Sequence, residues 1–224
     1  MIVLNNISKK YDDLQILKDF NLTIEDNSIT CLFGPSGVGK TTIANIATGL
    51  IPVDEGSVLG IENTLFSYVF QEPRLLEWYS VYDNINFVLK DIYDADTRKN
   101  VINKYISMVG LEDFSNYKPK ALSGGMAQRV SLARAFAYPS NALIMDEPFK
   151  ALDIKLKIEM INSFKDLWNK SKRAVLFITH DISEAALLSD TIYIINNRPV
   201  EVIKKLKTGS YQNTDEIKSI LMSC

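Results

Sequence analysis

Apolar residues in this chain follow two periods, and the change from one to the other marks out its parts. Residues 2–8 and 20–24 read as strands, the second with Phe20, Leu22 and Ile24 alternating with polar neighbours. Between them Lys10-Tyr11-Asp12-Asp13 reads as a polar turn. Ser28–Phe33 is a β-prone run, and Ile43, Ile46, Ala47 and Leu50 then follow at helical spacing until Gly49 and Pro52 signal a stop. Gly56 to Gly60 brackets a short strand, and Ser67–Phe70 forms another that Pro73 breaks. From there to about Tyr138 the spacing is helical. Val81, Ile85, Val88 and Leu89 make one stripe, and Ile102, Ile106 and Val109, closed by Gly110, another.

Past this stretch the strands return. Ala142–Met145 and Ala174–Ile178 are continuous apolar runs, as strands buried on both faces require. Between them lies a long amphipathic helix whose stripe, Ile154, Ile158, Ile161, Phe164 and Trp168, reads as core packing. Thr191 to Ile195 and Pro199 to Leu206 are late strands, and Asp215 to Met222 a last helix. Buried strands alternating with helices predict an α/β fold, a mixed sheet flanked by helices. One domain over residues 1–224 is expected, with its core near 1–72 and 139–224 and an inserted helical subdomain near 73–138.

Composition narrows the function classes. At 224 residues the chain can bury a sizeable core. A formal charge of −2 argues against a duplex nucleic-acid binder that relies on a basic surface. Cys31 and Cys224 offer no disulfide framework, and Cys31 in an apolar strand suits a reducing cytosol. The first ten residues lack a signal-peptide layout and no apolar run reaches membrane-spanning length, so any membrane role is expected to be peripheral. Lys204, Lys205 and Lys207 read as a solvated face, with anionic headgroup contact as the competing reading.

The chemistry concentrates in Gly34-Pro35-Ser36-Gly37-Val38-Gly39-Lys40-Thr41-Thr42, which fits G-x-x-x-x-G-K-[ST] between a strand and a helix. Glycines let backbone N–H groups converge on phosphate oxygens without Cβ clashes, and the helix dipole favours the negative charge. Lys40 would neutralise the β- and γ-phosphates of a nucleotide, and the Thr41 hydroxyl would bind Mg²⁺. A glycine-rich turn closing an ordinary βα unit is the plain alternative.

Three further features suit the same chemistry. Ser123 can cap the helix after it, while Gly124 and Gly125 expose that helix's first N–H groups, a second anion-binding end. Asp146 and Glu147 stand at the C-terminal edge of a buried strand, where Asp146 can hold Mg²⁺ through water and Glu147 can polarise an attacking water. His180, the chain's one histidine, also ends a strand, before a helix that Asp181 and Glu184 could cap as a box. It is either structural or a donor to the γ-phosphate. Tyr11 is either a half-buried strand-end ring or a stacking face for a nucleobase.

In this order the motifs resemble the ATP-binding cassette ATPases over nearly the whole chain, and Leu122-Ser-Gly-Gly-Met126 resembles the family's most specific mark, LSGGQ. The resemblance implies a P-loop NTPase core with an antiparallel β-subdomain and an inserted α-helical subdomain. It puts adenine stacking on Tyr11, Walker A on Gly34–Thr42 and the Q-loop glutamine, a catalytic and Mg²⁺-contacting residue, on Gln71. Ser123, Gly124 and Gly125 become the signature, Asp146 Walker B, Glu147 the catalytic glutamate, Asp153 the D-loop and His180 the switch histidine.

It further implies ATP and Mg²⁺ as cofactors and two copies associated head to tail. Permease subunits, and indirectly a solute-binding protein, are the implied partners at the cytoplasmic face of the membrane, with no nucleic acid. A narrower resemblance, in Gln71-Glu-Pro-Arg-Leu-Leu-Glu-Trp78, Ser123–Arg129 and Asp146–Asp153, is to the ATPase subunits of nitrate, sulfonate and taurine importers, although Glu77 stands where that group usually has Pro. An exporter's ATPase subunit and a soluble cassette ATPase compete. The latter usually carries a long coiled coil between Walker A and signature, and no sustained heptads lie between Thr41 and Leu122 here.

Overall fold

A computed structural model describes residues 1–150, 152–210 and 214–222, so Ala151 of the D-loop stretch and Cys224 lie outside the described residues. Packing divides the chain into two compact units, residues 1–66, 141–147 and 173–224 in the first and 67–140 and 148–172 in the second.

The first unit holds two sheets. β1 (Ile2–Tyr11), β2 (Leu14–Ile24) and β4 (Glu55–Leu59) form a three-stranded antiparallel sheet in the order β2-β1-β4. β1 and β2 run further toward each other than alternation alone predicts. Register shifts along their pairing let the ladder continue through polar residues, with Asn6 and Asp19 at positive φ, and Tyr11 pairs Leu14 directly. The Lys10–Asp13 turn thus shrinks to Asp12-Asp13, with Asp12 at φ 51.

In the second sheet the strands of this unit follow the order β6-β7-β3-β8-β9, formed by β3 (Ile29–Phe33), β6 (Ala142–Asp146), β7 (Ala174–Thr179), β8 (Thr191–Asn196) and β9 (Glu201–Lys207), while β5 (Phe66–Val69) falls almost wholly in the second unit. β6, β7, β3 and β8 are mutually parallel, and β9 returns antiparallel to β8. The central strands are buried on both faces, each Leu or Ile contributing about 1.5–3 kcal/mol of burial. On β9 only Leu206 is buried, and exposed Lys204, Lys205 and Lys207 protect that edge from pairing with other chains. Parallel order brings the C-terminal ends of β3, β6 and β7 to one end of the sheet. α1 (Lys40–Ala47) follows β3 and stops at Gly49, whose φ of 75 supplies the left-handed exit. α6 (Ile182–Leu188) follows β7, and α7 (Thr214–Met222) is the last helix described.

The second unit is helical: α2 (Val81–Leu89), α3 (Ala95–Met108), α4 (Gly124–Ala137) and α5 (Ile154–Lys170). Residues 148–172 pack here, because the α5 face containing Phe164 meets α4, the rings of Phe136 and Phe164 standing edge to face at 6.0 Å. The buried stripe of α5 is Met160, Ile161, Phe164 and Leu167. Ile154 and Ile158, expected in that stripe, are 79% and 55% exposed, since the side of the helix that carries them is left uncovered over its first two turns.

Candidate functional site

In the first unit, the loop between β3 and α1 depends on glycine at three positions. A Cβ on Gly34 would lie 2.4 Å from the Ile195 carbonyl oxygen. Gly37 and Gly39 take φ values of 77 and 129, where a side chain is strained. The N-cap of α1 is Gly39, which supplies no side-chain cap, so the N–H groups of the helix's first turn point into the loop. Gly37, Gly39, Lys40, Thr41, Thr42 and Glu147 line a cleft there. Pro35, Ser36 and Gly37 are exposed, whereas the Val38 side chain is 5% exposed and anchors the loop in the core.

Lys40 is buried, and its Nζ donates to the Gly34 and Pro35 carbonyls, both at 2.8 Å. The same nitrogen stands 3.6 Å from Glu147 Oε1. Glu147 Oε1 is also 3.3 Å from His180 Nδ1, so one carboxylate oxygen faces both the loop lysine and the imidazole. Glu147 is held by its backbone, its N–H donating to Ile178 O at 3.0 Å. It has φ 46, a left-handed conformation that costs a non-glycine residue of order 1–3 kcal/mol and persists where surrounding structure imposes it. Beside it Thr41 Oγ1 donates to Asp146 Oδ2 at 2.9 Å. A hydroxyl and a carboxylate oxygen so close suit Mg²⁺, a hard cation that takes one or two protein oxygens and completes its shell with phosphate and water. Lys40, Thr41, Asp146, Glu147 and His180 are therefore one constellation, assembled from α1 and the ends of β6 and β7.

Tyr11 closes β1 with its ring 43% exposed and Lys9 Nζ 5.8 Å from its centroid. Lys9 is itself fixed by Asp54 at 2.7 Å, which in turn holds the Asp54 carboxyl below the usual range. An accessible ring backed by a cation has the form of a stacking face. The helix after His180 is capped by Asp181, which accepts from the Ser183 and Glu184 N–H groups. Glu184 does not complete a capping box. Its carboxylate is buried and accepts from Thr179 Oγ1 at 2.6 Å, and Thr179 Oγ1 takes the Asp181 N–H instead.

The second unit carries the remaining expected residues. Gln71 is exposed after β5. Ser123 caps α4, its Oγ accepting from Met126 N at 3.2 Å. The paired glycines differ in kind. Gly125 lies under Leu156, whose Cδ1 would be 2.5 Å from a Cβ there, so a side chain at this position would displace Leu156. Gly124 meets nothing within 4 Å. Its lack of a side chain leaves the helix end open without serving the packing. Asp153 caps α5 through Leu156 N.

Two residues of this unit were given no role by the sequence, Gln128 although it lies within the Ser123–Arg129 motif. Gln128 is buried and donates to the carbonyls of Phe70 and Pro148, next in sequence to Gln71 and Glu147. Asn84 is fully buried and bonds Leu76 N and the Leu76, Tyr79 and Ser80 carbonyls. That clamp holds a segment on which Trp78 is 67% exposed, its ring 6.1 Å from Tyr79, which lies 6.0 Å from Phe87. For Asn84 the available signal was a polar residue within the Val81–Leu89 apolar stripe.

Known proteins share both sequence and architecture with this chain. The model of the ABC transporter family matches residues 17–150, more than half of the chain. The aliphatic sulfonates import ATP-binding protein SsuB 2 of Pseudomonas syringae pv. tomato is 39% identical, the match covering 87% of this chain and 82% of that one. The sulfate/thiosulfate import ATP-binding protein CysA of Mesostigma viride is 38% identical, covering 91% of this chain and 62% of its own. A dimeric ATP-binding cassette solved in a post-hydrolysis state with ADP and Pi superposes with a TM-score of 0.80 at 29% identity, covering 93% of this chain and 99% of that one. Among the described residues no helix is long and apolar enough to cross a membrane. By this family match, these import ATP-binding relatives and this shared cassette architecture, the chain belongs to the ABC transporter family, as an ATP-binding and ATP-hydrolysing subunit.

Proposed function

We propose that this chain powers import of a small solute of the nitrate, sulfonate or taurine kind. It would do so on the cytoplasmic face of the membrane, through a separate permease served by a solute-binding protein. The observation that supports the catalytic part is the shared Glu147 carboxylate oxygen, 3.6 Å from Lys40 and 3.3 Å from His180. Support for import comes from likeness to sulfonate and sulfate import ATP-binding proteins, and support for the solute class from the motif resemblance together with the sulfonate relative.

Each residue has a definable part. The loop N–H groups from Gly37 to Thr42, with Lys40, bind the polyphosphate, and Tyr11 stacks on the adenine. Thr41, Asp146 and Gln71 are the residues that would hold Mg²⁺, which when bound neutralises charge on the β- and γ-phosphate oxygens. Glu147 accepts the proton of the attacking water, and His180 orients that carboxylate and donates to the γ-phosphate. Ser123, Gly124 and Gly125 present a helix N-terminus to the nucleotide of a second copy, so that ATP favours the closed head-to-tail pair more than ADP does. That difference in affinity is what drives a conformational cycle in the permease.

Uptake tests the whole reading. Cells lacking this chain, supplied with its permease and binding protein, should take up radiolabelled sulfonate only when the wild-type chain is restored, and not with Lys40→Ala. Uptake unaffected by its deletion, or efflux in place of uptake, would overturn the importer assignment.

A further inference from the structure

The end of β8, the turn that follows it and Ile16 of β2 all pack against the nucleotide loop. Gly34 abuts the Ile195 carbonyl, and Gly39 abuts the side chains of Ile16 and Val200, 2.9 and 3.1 Å from where its Cβ would be. Gly37, the third, has Arg198 Nη2 3.5 Å from its own Cβ position, and that guanidinium donates to the Gly37 carbonyl. The three loop glycines thus face the end of β8, the turn after it and β2. The turn is held independently of Arg198, since Val200 N donates to Ile16 O at 2.8 Å and Val200 bridges Leu17 in parallel.

We propose that Arg198 is a positioning residue for the nucleotide seat, whose hydrogen bond to the Gly37 carbonyl fixes the direction of the Val38 N–H. The peptide unit is planar and trans, so its C=O and the following N–H point in opposite directions. With the Gly37 oxygen turned to Arg198, the Val38 N–H is turned away from the β8–β9 turn, to the loop's other side. The buried Val38 side chain pins the unit at its far end. Glycine at position 37 has little conformational preference of its own, and its peptide would otherwise rotate freely, so an external tie is what pre-organises the donor. Arg198 also brings a second cation to a loop that otherwise relies on Lys40. The argument rests on this loop being the ATP seat.

The donor serves bound nucleotide in ground and transition state alike, so its loss should appear in binding and leave kcat nearly unchanged. Removing Arg198 with R198A should raise KM for Mg-ATP and Kd for ADP about tenfold, as losing a charged hydrogen bond to the seat would. Adenosine, which lacks phosphate, should bind as in wild type. R198K, which can still donate to the carbonyl, should recover most of the loss. The nucleotide-free melting temperature should hold within about 2 °C, as for a surface change away from the core. Unchanged ADP affinity in R198A, or equal weakening of ADP and adenosine, would overturn the assignment, as would failure of R198K to recover ADP affinity. Lys40→Ala serves as the control. If it too binds ADP like wild type, the seat itself is misplaced, whereas loss in Lys40→Ala alone refutes only the role of Arg198.

Discussion

The Thr41 hydroxyl and the Asp146 carboxylate are joined by a 2.9 Å hydrogen bond across 105 positions of sequence. It ties the first turn of α1 to the last residue of β6 and so sets the two oxygens proposed to share Mg²⁺. Asp146→Asn should therefore raise the Mg²⁺ concentration for half-maximal ATP turnover by about tenfold or more, as altered metal environments commonly do. Thr41→Ser, which keeps the hydroxyl, should behave as wild type. Metal titrations of turnover check both, and an unshifted midpoint in Asp146→Asn would remove it from the metal site.

The exposed ring of Trp78 and the buried amide of Asn84 should separate docking from folding. Asn84→Ala leaves several backbone groups of residues 76–80 without their partner and should cost about 1–3 kcal/mol in denaturant unfolding. Trp78→Ala removes little buried contact and should change stability by no more than about 0.5 kcal/mol. By the family resemblance the stretch after Gln71 receives a helix of the permease, so Trp78→Ala should nonetheless weaken co-purification with it. Equal destabilisation by the two variants would make Trp78 a packing residue.

Burial pushes the Cys31 thiol up from 9.0 to about 12. The unfolded chain therefore ionises this group at lower pH than the folded one. The contribution to stability is complete below about pH 9 and is lost as pH rises toward 12. Iodoacetamide at pH 8 should leave Cys31 unlabelled in the native protein and modify it after denaturation, as peptide mass mapping would show. Native labelling at the denatured rate would contradict its burial.

Much of this was legible because each motif obeys a local rule. Gly34–Thr42 has one plausible backbone course, and Ala142–Asp146 has the unbroken apolar run of a buried strand. The pairing of Glu147 with His180 was not legible, because it depends on β6 and β7 being neighbours, and order within a sheet leaves no periodic trace. The α5 stripe was misread at Ile154 and Ile158 because a helical period gives the face but not how far along it the neighbour reaches. Gly125 carried two meanings. The sequence suggested an open anion site, and Leu156 supplies a steric reason that only packing shows. Arg198 stood in a loop with no motif at all, and its link to Gly37 is a long-range contact.

The open helix end at Ser123 and Gly124 calls for a test across the proposed dimer. A tagged heterodimer of one Lys40→Ala chain and one Ser123→Arg chain, both carrying Glu147→Gln, keeps one intact loop facing one intact signature. It should occlude about one Mg-ATP, and each mutant homodimer close to none, by the logic of ligand-stabilised closure. A heterodimer no better than the homodimers, beside an occluding Glu147→Gln control, would count against head-to-tail sharing.

The central claim is that Glu147, held between Lys40 and His180, is the base for ATP hydrolysis. Single-turnover hydrolysis of radiolabelled Mg-ATP by purified Glu147→Gln, with nucleotide affinity measured on the same sample, tests it most directly. The account predicts ATP affinity within about twofold of wild type and hydrolysis slower by about a hundredfold or more. Hydrolysis near the wild-type rate with ATP bound would contradict it.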